Sequence, residues 1–255
     1  MNAPDFTLDG RLALVTGSSQ GIGLALATAL AAAGARVVLN GRDPARLDAA
    51  ATPLRAAGHD VATLAFDVTD EDAVDQAFAT LARNHGPLDI LVNNAGIHRR
   101  APLADMTLAD WRAVLETNLT SAFLAGRAAA RAMLPRARGK IINLCSLMSD
   151  LARPTTGNYA AAKGGLKMLT RAMCAEWAPH NIQVNGLAPG YILTDLTAPL
   201  AADHKFDGWV KARTPAARWG TPADLTGACV FLASTASDFV NGQILTIDGG
   251  LSAVV

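Results

Sequence analysis

The chain has 255 residues, with 22 basic and 22 acidic side chains and a formal net charge of zero. That balance offers no electrostatic footprint for nucleic acid or an anionic membrane, so small molecules are the expected partners. With 51% hydrophobic and 17% charged residues, disorder is excluded and a single domain spanning 1–255 is expected.

The opening "MNAPDFTLDG" has acids and no apolar signal core, and no run reaches the roughly 18 apolar residues a membrane helix needs. Cys145, Cys174 and Cys229 are odd in number and lack the close pairing of a zinc site. No metal and no disulfide framework are expected, and a cytoplasmic location is.

The first strand is expected in "RLALVTG" (11–17), followed by the turn "TGSSQGIG" with Gly17, Gly21 and Gly23. A glycine-rich strand-to-helix turn lets backbone amides and the helix dipole hold a pyrophosphate. Its G-x-x-x-G-x-G spacing differs from the G-x-G-x-x-G fingerprint, and a bland tight turn is the alternative. Ile22, Leu26, Leu30 and Ala33 mark the apolar face of the helix that follows, with Gly34 at its stop. The second strand, "RVVLNG" (36–41), leads into "LNGRD". There an acid would bind a ribose 2′-hydroxyl, whereas Arg42 accommodates a 2′-phosphate. NADP is therefore the expected cofactor, with NAD the alternative and Arg42 as an ordinary solvated residue the bland one.

Asp43-Pro44 reads as a helix start, with Gly58 at the stop. The third strand, "VATLAFDV" (61–68), brings in Asp67, which either accepts from an adenine amino group or caps the helix after it. The fourth, "LDILVNNAG" (88–96), is followed by "IHRRAP" (97–102), where His98, Arg99 and Arg100 are candidate cations for a substrate anion. Thr107 with Asp110 reads as a capping box before an alanine-rich helical segment from Ala113 to Met133.

The fifth strand, "KIINLCS" (140–146), ends in Ser146, which could orient a carbonyl or alcohol oxygen, and Arg153 follows as another candidate cation. Tyr159 and Lys163 stand at i and i+4 on one helical face. A neighbouring ammonium and an oxidised nicotinamide would both favour the phenolate, making Tyr159 a general acid/base. Gly164 and Gly165 inside that helix each cost about 1 kcal/mol relative to alanine. With the small residues around them they suggest close approach of a second subunit. The sixth strand is "IQVNGLAPG" (182–190), and the irregular stretch 191–220 after it is read as a substrate lid. Thr221-Pro222 with Asp224 starts another helix, and "QILTIDGG" (243–250) is the seventh strand. Strands alternating with helices imply an α/β fold with a parallel sheet.

In that order, "TGSSQGIG", "NNAG", "NLCS", "YAAAK" and "LAPGYILT" make the chain resemble the short-chain dehydrogenase/reductase family over essentially its whole length. The resemblance implies a Rossmann-type doubly wound fold, a seven-stranded parallel sheet with helices on both faces, and hydride transfer between a nicotinamide and a carbonyl or alcohol carbon. It maps a catalytic tetrad onto Asn118, Ser146, Tyr159 and Lys163, with a proton-relay water at Asn118 and the nicotinamide ribose on Lys163. It places Gly17, Ser19, Gln20, Gly21, Ile22 and Gly23 at the phosphates and Asn40 and Arg42 at the ribose beyond. Asp67 and Val68 go to adenine, and Asn94, Ala95 and Gly96 lie along the ribose. Pro189, Gly190, Ile192 and Thr194 go to the nicotinamide. NADP-dependent members often carry a basic residue where this chain has Gln20, so the NADP expectation rests on Arg42.

Within the family, "VVLNGRDPARLDAA", "GNYAAAKGGLKMLTRAM" and "WVKARTPAARWG" resemble the gluconate 5-dehydrogenase branch. This implies D-gluconate and 5-keto-D-gluconate as the substrate pair, with Ser146 and Tyr159 on the reacting oxygen and Arg100 and Arg153 as candidates for the carboxylate. It also implies a homotetramer. A 3-oxoacyl thioester reductase and a non-catalytic dinucleotide-binding protein are the alternatives.

Overall fold

A computed structural model describes residues 5–254. Seven strands form one sheet: β1 (Leu12–Val15), β2 (Arg36–Gly41), β3 (Val61–Ala65), β4 (Ile90–Asn93), β5 (Gly139–Leu144), β6 (Ile182–Pro189) and β7 (Ile244–Ile247). Their order is β3-β2-β1-β4-β5-β6-β7, and every pairing is parallel. Each of the seven expected strands is present. The chain starts at the centre, runs to one edge, then returns past β1 to the other. Where the direction reverses, between β1 and β4, the two following loops splay apart and open a crevice at the carboxyl ends of the strands.

Alternating side chains along the strands serve two cores. Ala13, Val15, Val37, Leu39, Ile90 and Val92 face one layer, and Leu12, Leu14, Val38 and Leu91 face the other. The first layer is closed by α1 (Gly21–Ala32), α2 (Pro44–Ala56) and α9 (Thr226–Ala233), through Leu26, Leu30, Leu47 and Leu232. The second is closed by α3 (Glu71–His85), α5 (Ser121–Met133) and α6 (Gly157–Trp177), through Phe78, Leu81, Leu124, Met133 and Met173. Burying one such leucine or phenylalanine contributes about 2 kcal/mol, so both helical layers are held by apolar area rather than by helix propensity.

Local chemistry starts the helices where the sequence indicates. Asp43 caps α2 by accepting from the amides of Ala45 and Arg46, and Thr107 caps α4 (Leu108–Leu115) by accepting from Asp110 N–H. Thr221 and Asp224 do form a capping box, but on a four-residue 3-10 turn, Pro222–Leu225, that precedes α9. Asp67 is not the cap of α3; Asp70 is, accepting from Ala73 N–H.

The alanine-rich segment from Ala113 is not one regular helix. Between α4 and α5 lies a π-turn, Glu116–Thr120, that carries Asn118. The stretch 191–220 is more ordered than expected, holding the short helix α7 (Ala198–Ala201) and α8 (His204–Arg213). Among the described residues, no helix is long and apolar enough to cross a membrane.

Gly165 has an explanation inside the chain. A Cβ there would sit 2.8 Å from Leu119 Cδ2, so this glycine admits the π-turn against α6 rather than a neighbouring subunit. At Gly164 a Cβ would meet nothing closer than Ser149 O at 3.8 Å.

Candidate active site

The glycine turn is a backbone cradle. Gly17 takes φ of +61°, and a Cβ on it would fall 2.9 Å from Ala95 Cα. A Cβ on Gly23 would lie 2.4 Å from Asn94 Nδ2, because the Asn94 side chain donates to Thr16 O (2.9 Å) and Gly17 O (2.8 Å). The "NNAG" segment thus braces the turn from beneath. Gln20, preceding α1, gives the helix no side-chain cap, so the first amides of α1 remain available to an anion. Ser19, Gly21 and Ile22 belong to the same turn. Thr194 reaches it from the other side of the crevice, its Cγ2 3.9 Å from where a Gly21 Cβ would be.

Asn40 does not face the crevice. Its side chain is buried, accepts from Gly17 N–H (3.2 Å) and donates to Leu64 O and Phe66 O (3.2 Å each). It fastens β2 to the turn and to β3, and its assignment as a cofactor contact is corrected to a bracing role. Arg42 stands exposed just beyond, 3.8 Å from Asp67 Oδ2. Burial raises the Asp67 pKa, but the amide and hydroxyl of Thr69, both donating to Oδ1, outweigh it and leave the carboxyl below its usual value. Val68 beside it is buried.

At the far end of the crevice, Pro189 and Gly190 close β6, and the Gly190 amide is spent on Ile247 O (2.9 Å). Ile192 is buried beneath, and Thr194 N–H donates to Thr197 Oγ1 (2.9 Å).

The four tetrad positions converge beside this end. Ser146 follows β5 and caps a 3-10 turn, accepting from Met148 N–H while its own N–H donates to Ser149 Oγ. Tyr159 and Lys163 lie in the first turns of α6. The Lys163 side chain is buried and donates to Leu144 O at 2.5 Å, with Nζ 5.6 Å from the centre of the Tyr159 ring. An ammonium has three protons, so two remain for a ligand. Among the described residues no carboxylate pairs with it, and burial pulls its pKa to about 8.

Burial pushes the Tyr159 pKa up, and the Ser146 hydroxyl opposes this without reversing it. The expected lowering invoked an oxidised nicotinamide as well as the ammonium; in the protein by itself burial is the largest effect on the phenol. Desolvation of the anion wins.

Asn118, buried in the π-turn, clamps the loop after β4. Its Oδ1 accepts from Ile97 N–H (2.8 Å) and its Nδ2 donates to Ile97 O (2.9 Å). Behind the site, Asn93 Nδ2 donates to Asn143 Oδ1 (2.9 Å), and Asn143 Nδ2 donates to Thr170 Oγ1 (2.8 Å). This buried chain joins β4, β5 and α6, and nothing in residue spacing points to it.

The candidate cations separate clearly. Arg99 is occupied by Asp110 at 3.2 Å. His98 is held neutral, its pKa lowered to about 4 by burial and then by Arg100 and Arg153. Arg100 donates to Thr155 Oγ1 (3.3 Å), and Arg153 donates to Tyr191 Oη (3.3 Å) with its guanidinium 4.2 Å from the Phe206 ring centre. Among the described residues neither Arg100 nor Arg153 has an acidic partner. Tyr191 packs edge-on against Phe206, Trp209 and Trp219 at 5.5–5.8 Å, an aromatic cluster that Arg153 touches through Tyr191 and Phe206.

Comparison with known proteins agrees with this geometry. Residues 17–252 match a family model described as enoyl-(acyl carrier protein) reductase. The chain is 53% identical over 253 residues to gluconate 5-dehydrogenase of Gluconobacter oxydans, covering 99% of both chains. It is 48% identical over 250 residues to 5-keto-D-gluconate 5-reductase of Escherichia coli K12, covering 98% of both. Among solved structures, a gluconate 5-dehydrogenase from Burkholderia cenocepacia in complex with NADP and tartrate superposes with a TM-score of 0.97 at 50% identity, over 99% of each chain.

Proposed function

Because the chain belongs to the short-chain dehydrogenase/reductase family, we propose that it is an NADP-dependent oxidoreductase interconverting D-gluconate and 5-keto-D-gluconate. The observation that carries the substrate class is the Arg100 and Arg153 pair: two cations that both face His98, the ring stacked on Tyr159, with Arg153 close enough to add to the lowering that burial imposes on Arg100, and with no acidic partner for either among the described residues. Like charges left together at a crevice favour an anion, and a guanidinium fork fits a carboxylate. The relative crystallised with tartrate, itself a hydroxy acid, supports the same reading.

NADPH fits the residues present: an uncapped helix start behind the glycine turn, Arg42 at the end of β2, and an ammonium with two protons to spare. When bound it supplies the hydride. The rest is done by the protein. Ser146 and Tyr159 hold the substrate oxygen, and Tyr159, protonated at neutral pH as a phenol ordinarily is, gives its phenolic proton to that oxygen as the carbon accepts the hydride. Lys163 orients the ribose and keeps positive charge beside the phenolate that results. In the oxidising direction the same groups act in reverse.

Residues 191–220 we take as the lid over this site, tied to it through Arg153. Phe123 and Met168, both exposed on α5 and α6, support the homotetramer, and the three free cysteines support a cytoplasmic location. An assay with NADPH and either 5-keto-D-gluconate or an acetoacetyl thioester tests the function. Turnover of the keto acid is expected, and activity confined to the thioester overturns the assignment.

A further inference from the structure

His98 is not a member of the tetrad, yet its imidazole lies parallel to the Tyr159 ring, at 8° with ring centres 4.6 Å apart. Parallel rings at that separation are an offset stack, in contact over their faces. What holds the imidazole there is not its polar atoms. Nδ1 is buried and has no hydrogen-bond partner. Leaving a buried ring nitrogen unsatisfied costs stability, and something at this position offsets that cost.

The backbone on both sides of His98 is pinned by the elements that carry the chemistry. Asn118, from the π-turn, holds both the N–H and the carbonyl of Ile97. Asn158, the residue before Tyr159, donates to Arg99 O at 2.9 Å, and its Oδ1 accepts from Tyr159 N–H at 2.8 Å. The loop can therefore move neither toward nor away from α6 without breaking contacts at residues 97 and 99. The stack on Tyr159 is built in.

We propose that His98 is a positioning residue, whose flat ring fixes the phenol of Tyr159 in its proton-transfer orientation through the chain Asn118, Ile97, His98, Tyr159. A tyrosine side chain swings about χ1 and χ2, and a parallel neighbour blocks tilting out of the plane, which keeps the phenol oxygen beside Ser146. The same ring covers one face of the phenol and adds to the desolvation that keeps it protonated. The charged and titratable groups facing this pair are Lys163 and Cys145 toward Tyr159, and Arg100 and Arg153 toward His98.

The proposal rests on Tyr159 being the proton-transfer group, and the test separates the two. Reduction of 5-keto-D-gluconate by NADPH is followed across pH for the wild type, His98→Asn, His98→Phe and Tyr159→Phe. Without the ring, His98→Asn is expected to lose kcat by about tenfold or more, with KM nearly unchanged and the alkaline limb of the kcat profile displaced to lower pH. His98→Phe, which keeps a flat ring and lacks both nitrogens, is expected to recover most of kcat and the limb. Unchanged kcat and limb in His98→Asn overturn the proposal. Equal losses in both variants overturn it as well, because the nitrogens would then be what matters, and so does a raised KM at constant kcat, the mark of a substrate contact. His98→Leu, apolar but not flat, repeats the comparison if the asparagine variant does not fold. Undiminished turnover in Tyr159→Phe sinks the proton-transfer reading itself.

Discussion

Lys163 Nζ stands 5.6 Å from the centre of the Tyr159 ring, one helical turn along α6, and donates one hydrogen bond to Leu144 O. An ammonium buried without a carboxylate is a stability cost that its function explains. Its folded pKa is about 8 against an ordinary 10.5. Below about pH 8 both folded and unfolded states hold the proton, so the cost of burying the charge is fully present. Between 8 and 10.5 the unfolded state holds more protons, so stability rises with pH. Lys163→Met should therefore be more stable than the wild type at pH 7, by about 3 kcal/mol at most. That margin should shrink by pH 10.5, and turnover should be lost. Thermal unfolding of the two proteins across that range is the check; a margin that grows with pH contradicts the assignment.

Arg100→Ala should raise KM for the keto acid by roughly 10- to 100-fold, the loss of one charge-assisted contact, while sparing a neutral ketone. Arg153→Ala should do the same and in addition loosen the aromatic cluster, because Arg153 also holds Tyr191 and stacks on Phe206. Steady-state kinetics with one charged and one neutral ketone reads both. Equal effects on the two substrates would remove the arginines from carboxylate binding.

Arg42 is exposed, and among the described residues its one ion pair is with Asp67 at 3.8 Å. Arg42→Ala should raise KM for NADPH by about tenfold and leave KM for NADH nearly unchanged, since a 2′-phosphate contact is worth one charged hydrogen bond. A wild-type preference for NADH would contradict the cofactor assignment.

Asn143 satisfies Asn93 and Thr170 at once in a buried chain. Asn143→Ala removes one hydrogen bond from each partner, leaving Asn93 Nδ2 with Ala122 O (3.4 Å) and Thr170 Oγ1 with Leu166 O (2.8 Å), and should cost about 2 kcal/mol, lowering Tm by roughly 4–8 °C. Calorimetry checks this, and a shift under 2 °C, no more than about 1 kcal/mol, would mean that the chain contributes little.

The strands, their parallel arrangement and the glycine turn were legible in the sequence for physical reasons. Runs such as "RVVLN" are apolar on both faces because helices cover both faces of the sheet, and Gly17 needs a positive φ that other residues rarely adopt. Tyr159 and Lys163 were legible because one helical turn forces them onto one face. What could not be read depends on contacts distant in sequence. The π-turn at Glu116–Thr120 inserts no distinctive residue into its alanine-rich surroundings. Asn40 carries an amide that suits a ligand as well as it suits Gly17, Leu64 and Phe66, and packing alone decides that it braces. Gly165 faces Leu119 from another element, and His98 counts as a cation until burial beside two arginines makes it neutral.

The most direct test of the account is a single-turnover measurement of NADPH oxidation by 5-keto-D-gluconate in the wild type and Tyr159→Phe, alongside NADPH affinity by fluorescence. The account predicts a hydride-transfer rate lower by on the order of a thousandfold in the variant, with dinucleotide affinity nearly unchanged. A Tyr159→Phe enzyme that reduces the ketone at the wild-type rate would contradict it.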